Sequence, residues 1–328
     1  MAPASREYAE PASPAATVAA VAAAPVALTK QQRYAARMGL MQNARTRLEA
    51  APDVSAQAAV DRLARNNVAV ERAKLSEHVY HSDEVPPVAA PEGWHMLSGE
   101  ELVEKGVTPE MLLDPQSGFK AALYKSSFEQ PPKLVLAFAG TEDKKDILAD
   151  LRQGMGLKET QYNEAMDVAK ALVKQVGRRA VETTGHSLGG GLASAATVVA
   201  DIKGYTFNAA GLHAATVRRA PYEVSKAAMR EQAQLLDAYR STADPLNNAQ
   251  KAALLTRGVV LPKALGIDRP VAPAPAWQHK WSELVKGNPL KAATTMALHG
   301  HGIAPQMVDH IEHEKDQDTA TLTTYLAP

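Results

Sequence analysis

Along the chain the spacing of apolar residues changes character twice. Residues 1 to 28 carry Ala, Pro and Ser with no periodic apolar stripe, and they read as a disordered Ala/Pro-rich leader. From 29 to 74 the pattern becomes helical. Tyr34, Met38, Met41 and Leu48 fall on one face, and a second helical stretch over about 56 to 80 leads into the Pro86-Pro87 and Pro91 loop. From 75 to 328, strand-like and helix-like runs alternate. Gly118 to Tyr124 and Lys133 to Phe138 predict neighbouring strands, the second apolar enough to be buried on both faces. Tyr162, Ala165, Met166, Ala169, Leu172 and Val173 predict a helix. Arg179 to Thr184 predicts a strand, the small residues from Gly190 to Ala200 a closely packed helix, and Tyr205 to Asn208 and Leu235 to Arg240 two further strands. Such alternation implies an α/β fold with a mostly parallel central sheet flanked by helices, preceded by a helical N-terminal extension.

Composition narrows the picture. A chain of 328 residues with 45% hydrophobic content can bury one large core. Its formal net charge is zero, so no overall charge points to nucleic acid. Cysteine is absent, which excludes thiol catalysis, disulfide staples and thiolate metal sites. The longest apolar run, Ala15 to Leu28, is about half a membrane span. Arg6 before it is offset by Glu7 and Glu10, unlike the start of a secretory signal. A soluble protein is expected, cytoplasmic or exported without such a signal. Between 30 and 48 the only charges are basic: Lys30, Arg33, Arg37, Arg45 and Arg47. A basic amphipathic helix of this kind can lie on an anionic membrane, dock on a partner, or simply cover the domain as a solvated helix.

The candidate chemistry centres on Gly185-His186-Ser187-Leu188-Gly189. Between a predicted strand and a predicted helix, this run reads as a nucleophile elbow, a bend so tight that glycine is needed two residues to either side of the serine. A serine hydroxyl needs a base within reach, and the base needs an acid to fix its tautomer. Asp244 follows a predicted strand and would lie at the sheet's carboxyl edge, as the elbow would; an Asp-Pro turn is its plainer use. His301, flanked by glycines in His299-Gly-His-Gly302, is the chosen base, with His299 its competitor. His310 and His313 fall inside a predicted helix and are expected to be solvated. No nearby cluster completes a metal site around His299 and His301. The backbone N–H of Leu188 and the turn at Ala139-Gly140-Thr141 would supply oxyanion donors, Thr141 offering both N–H and hydroxyl.

These residues resemble the class 3 lipase branch of the α/β-hydrolases. The matching blocks are Leu136 to Glu142, Asp146 to Asp150, Gln161 to Ala165, Gly185 to Gly190, Phe207 to Gly211, Asp244 to Asn247 and His301, spanning roughly residues 75 to 312. The resemblance implies a Ser187–Asp244–His301 triad with Thr141 and Leu188 lining the oxyanion hole. It also implies cleavage of carboxylic esters in lipids through an acyl-enzyme, with no cofactor. Two departures stand out: Ala139 where these lipases often carry arginine, and a long segment between Asp244 and His301. That segment holds Leu254, Leu255, Val259, Val260, Leu261, Trp277 and Trp281, which suit either a lid meeting lipid or ordinary core and loop. The arrangement also resembles bacterial phospholipase effectors delivered into other cells. A lipid- or host-protein-binding effector on a hydrolase scaffold is the alternative.

Overall fold

A computed structural model describes residues 28–140, 155–242, 264–277 and 306–328. Residues 1–27, Thr141, Asp244, His299, His301 and Trp281 lie outside the described residues. Two long helices come first. In α1, Lys30–Ala50, Thr29 and Gln32 cap one another's backbone N–H groups. In α2, Val54–His78, the Asp53 carboxylate accepts the Ala56 N–H at 2.7 Å. A 3₁₀ turn, Val79–His81, continues α2. The sheet elements follow: β1 Trp94–Met96, α3 Gly99–Val103, β2 Leu113–Asp114, β3 Phe119–Ser126, β4 Leu134–Phe138 and α4 Met155–Val176. Next come β5 Val181–His186, α5 Leu188–Ala200, β6 Lys203–Phe207, α6 Ala214–Arg218, α7 Lys226–Gln232, β7 Leu236–Ser241, β8 Ile267–Val271 and α8 Val308–Leu326. Among the described residues no helix is long and apolar enough to cross a membrane.

The strands order as β1-β3-β4-β5-β6-β7-β8, with β2 hydrogen-bonded to β3 off that path. Strands β4 to β8 run parallel, and β3 meets both β1 and β4 antiparallel. The period of two in β4 serves both faces. Leu134, Leu136 and Phe138 pack toward α4 and α5 with Leu172, Leu192 and Ala196, while Val135 and Ala137 pack toward α2 with Leu75 and Val79. A strand apolar at every position is what a sheet covered on both sides demands.

Helix α2 runs unbroken past residue 74 and lies against β5 and β6. Its Arg72 is fully buried, donating to Glu182 at 2.8 Å through Nε and to Glu129 at 2.9 Å. One turn on, the Ser76 and Thr184 hydroxyls meet at 2.7 Å. Outside α2, helices α1 and α8 close a further apolar cluster of Met41, Ala44, Leu48, Ala59, Leu63 and Leu322. Four basic residues of α1 have partners within the chain: Lys30 with Glu71 and Arg33 with Glu92, each at 2.6 Å, Arg37 with the Asn67 side-chain carbonyl at 2.6 Å, and Arg47 with Ala327 O at 3.1 Å.

One expectation meets a different outcome. His310 is not solvated; it is buried in α8, and its Nδ1 accepts the Ala274 N–H at 3.1 Å. Within the segment that suits either a lid or ordinary core and loop, β8 pairs with β7, and Trp277 belongs to the core, 8% exposed with its indole N–H on Asp309 at 3.0 Å. Among the described residues β8 is the last strand of the sheet, a position at which a proline such as Pro270 is tolerated.

Candidate active site

The site forms where the carboxyl ends of the parallel strands meet the first turn of α5. Strand β5 enters with all six residues buried, and its side chains divide between the two faces. Thr183 bonds to Thr197 of α5 at 2.6 Å, whereas Glu182, Thr184 and His186 meet Arg72, Ser76 and Tyr80 on the α2 side. The strand ends at His186 and the helix begins at Leu188, leaving one residue to reverse the chain.

That residue is Ser187, with φ 55° and ψ −123°. Such a backbone is sparsely populated for any residue with a side chain and persists only when its surroundings over-determine it. Here they do. The Ser187 N–H donates to Phe207 O at 3.2 Å, and its carbonyl accepts N–H groups from Gly190 at 3.1 Å, Gly191 at 3.3 Å and Ala210 at 2.9 Å. The bend also needs glycine for space. A Cβ at Gly185 would stand 2.2 Å from Gly189 O, and one at Gly189 would stand 2.2 Å from Phe138 O. The second contact matters for chemistry, because it presses the elbow onto Phe138, Ala139 and Gly140 at the end of β4. Leu188 occupies the first helical position, where a backbone N–H has no intrahelical acceptor and points out of the helix start. Ser187 itself is 5% exposed, at the floor of this edge.

Of the residues expected to act together, Ser187 and Leu188 are therefore described and adjacent to the β4 turn. Thr141, Asp244 and His301 lie outside the described residues, as does His299. Strand β7, parallel to β5, ends at Ser241, whose N–H donates to Asn208 Oδ1 at 2.9 Å. Two residues given no role by the sequence reading belong to this edge. Asn208, buried at φ 43°, ties the ends of β6 and β7 together through that bond and by donating its own N–H to Tyr239 O at 2.9 Å. Tyr80 places its hydroxyl 3.2 Å from His186 Nδ1. The Asn208 role follows from its place after a strand, but nothing in the sequence marks Tyr80, which lies in the turn after a long helix.

A mostly parallel sheet helix-covered on both faces, with a strained serine between a central strand and the helix that follows it, defines an α/β-hydrolase. A model of the Tle-like phospholipase domain matches residues 71–274, and the chain belongs to that family. It is 36% identical over 174 residues to an extracellular phospholipase A1 of Serratia liquefaciens, a match covering 53% of this chain and 51% of the relative. The chain thus spans about half the length of that relative. Two solved structures are also similar. The Rhizomucor miehei lipase in its propeptide complex is 13% identical, with a TM-score of 0.38 over 63% of this chain and 68% of that one. A mutant form of MDLA from Penicillium cyclopium is 16% identical, with a TM-score of 0.35 over 63% of this chain and 80% of that one.

Proposed function

We propose that the protein is a serine carboxylic-ester hydrolase of the phospholipase A type, acting through an acyl-enzyme on Ser187. The observation that carries this reading is the Ser187 backbone, strained at φ 55° between β5 and α5 and pinned by hydrogen bonds at both its N–H and its carbonyl. Strain of this kind serves to present the hydroxyl at the sheet edge beside the N–H of Leu188. In the reaction, Ser187 Oγ attacks the ester carbonyl while His301 takes its proton, and Asp244 orients and stabilises the resulting imidazolium. The Leu188 N–H and Thr141 receive the negative charge that forms on the carbonyl oxygen. Collapse breaks the ester bond, the proton passes from His301 to the departing alcohol, and water activated by the same imidazole releases the fatty acid. No cofactor takes part. The name of the Serratia relative directs the reading to the sn-1 ester of a phospholipid and to an extracellular site of action. A basic α1 lying on a membrane draws less support, since Lys30, Arg33 and Arg37 are bonded within the chain.

Ser187→Ala is expected to abolish hydrolysis of both a short-chain chromogenic ester and a phospholipid, with the melting temperature held within about 2 °C. Retained hydrolysis of either substrate refutes the assignment. Asp244→Asn and His301→Ala should each remove most of the rate as well, because members of a triad act as a unit. Phospholipids labelled separately at the two acyl positions then read the regiochemistry, with release from sn-1 expected.

A further inference from the structure

The turn that ends β4 has to be held still if its backbone is to serve a developing oxyanion, and Ala139 offers no side chain for the purpose. The other side of the elbow provides one. Helix α2 is fixed to β5 by Arg72 on Glu182 and by Ser76 on Thr184, so the 3₁₀ turn that follows sits at a set height above the strand end. Lys120, at the start of β3, holds that turn in place by donating to Tyr80 O at 3.3 Å and pairing with Asp83 at 2.8 Å. The half-buried Tyr80 ring lies edge-on to His186 at 6.4 Å between centroids, with the hydroxyl 3.2 Å from His186 Nδ1. His186 is the residue immediately before the serine.

The same hydroxyl covers Gly140. A Cβ built there would come within 2.6 Å of the Tyr80 oxygen, 3.0 Å of His186 O and 3.4 Å of Gly189 N. The space beside the Gly140 Cα is thus shared by the elbow backbone and a phenol oxygen. We propose that Tyr80 is a positioning residue: its hydroxyl, oriented by His186, packs on the Gly140 backbone where that backbone meets the nucleophile elbow, and so steadies the end of β4 beside Ser187. This rests on Ser187 being the nucleophile and on the β4 turn serving the oxyanion, and its consequence is confined to the transition state, since the ground-state carbonyl asks little of that turn.

The test uses the full chain with a soluble short-chain ester and a trifluoromethyl ketone, which forms a tetrahedral adduct resembling the transition state. Tyr80→Phe keeps the ring and removes one oxygen. It should lower kcat about 10- to 100-fold with KM within about twofold, and weaken the ketone in step with the fall in kcat/KM. A melting temperature within about 2 °C of wild type accompanies that result. Gly140→Ala gives an independent measure: alone it meets the phenol oxygen, whereas in the Tyr80→Phe background that oxygen is gone, so the double variant should lose less than the product of the single losses. Unchanged kcat in Tyr80→Phe, a kcat loss without weaker ketone binding, or strictly multiplicative losses each overturn the proposal. Failure of the parent reading looks different, because there Ser187→Ala itself would stay active.

Discussion

At the scale of single residues, the elbow is a place where one methyl group decides the outcome. The backbone oxygen of Phe138 lies where a Gly189 side chain would be, and backbone has nowhere to retreat inside a sheet. Gly189→Ala is expected to cost about 3 kcal/mol of stability, at the upper end of overpacking penalties, and to remove activity with it. Gly39, in the middle of α1, is the contrasting case. Nothing stands within 4 Å of a Cβ there, and alanine is the better helix former. Gly39→Ala should therefore stabilise the protein by about 1 kcal/mol and leave hydrolysis untouched. Thermal melts of the two variants side by side check both signs.

Between elements, the seam of α2 against β5 carries the largest electrostatic commitment. Arg72 is surrounded by Glu182, Glu129 and the rings of Trp94 and Tyr205. Although burial alone would favour its neutral form, Glu182 and Glu129 hold its pKa far above the ordinary arginine value. Arg72→Ala would leave two buried carboxylates facing one another and is expected to cost about 3–5 kcal/mol, read as a large drop in denaturation midpoint. This seam also explains what the sequence disclosed. The runs of β3, β4, β5, α4 and α5 were legible because burial on one face forces a period on a run and burial on both faces makes it continuously apolar or small. Strands β1 and β2, three and two residues long, are too short to show any period. In β8, Ile267-Asp-Arg-Pro-Val271 breaks alternation with a proline, and its strand character comes from pairing with β7. The candidate site was legible as far as Ser187, Leu188 and the β4 turn, each marked by small residues beside a strand. Tyr80 was not, because its relevance arises from the height at which α2 crosses β5.

For the molecule as a whole, two titrating groups oppose one another. Burial pushes the His310 imidazole down to about 4 from an ordinary 6.5, consistent with Nδ1 serving as an acceptor. A depressed pKa means that the unfolded chain binds the extra proton first, so the stability His310 contributes is present above pH 6.5 and lost as pH falls through 4. Burial and the neighbouring Asp114, only partly offset by the Ser117 hydroxyl, lift the Glu164 carboxyl to about 7 from 4.5. Its contribution has the opposite sense: full below pH 4.5 and lost as pH rises through 7. Melting temperatures followed from pH 4 to 8 should show a smaller acid-side fall in His310→Gln and a smaller neutral-side fall in Glu164→Gln. A profile unaltered by either substitution contradicts the corresponding assignment.

The closing of the helical layer by α8 has a consequence for how the protein folds. Arg62 of α2 pairs with Asp318 across 256 positions of sequence, and the Tyr325 hydroxyl reaches back to Ala51 O. Until α8 docks, the outer side of α2 keeps Leu63 and its neighbours incompletely covered, and contacts of such wide sequence separation form slowly. A chain in which that docking fails exposes an apolar helical face that favours self-association.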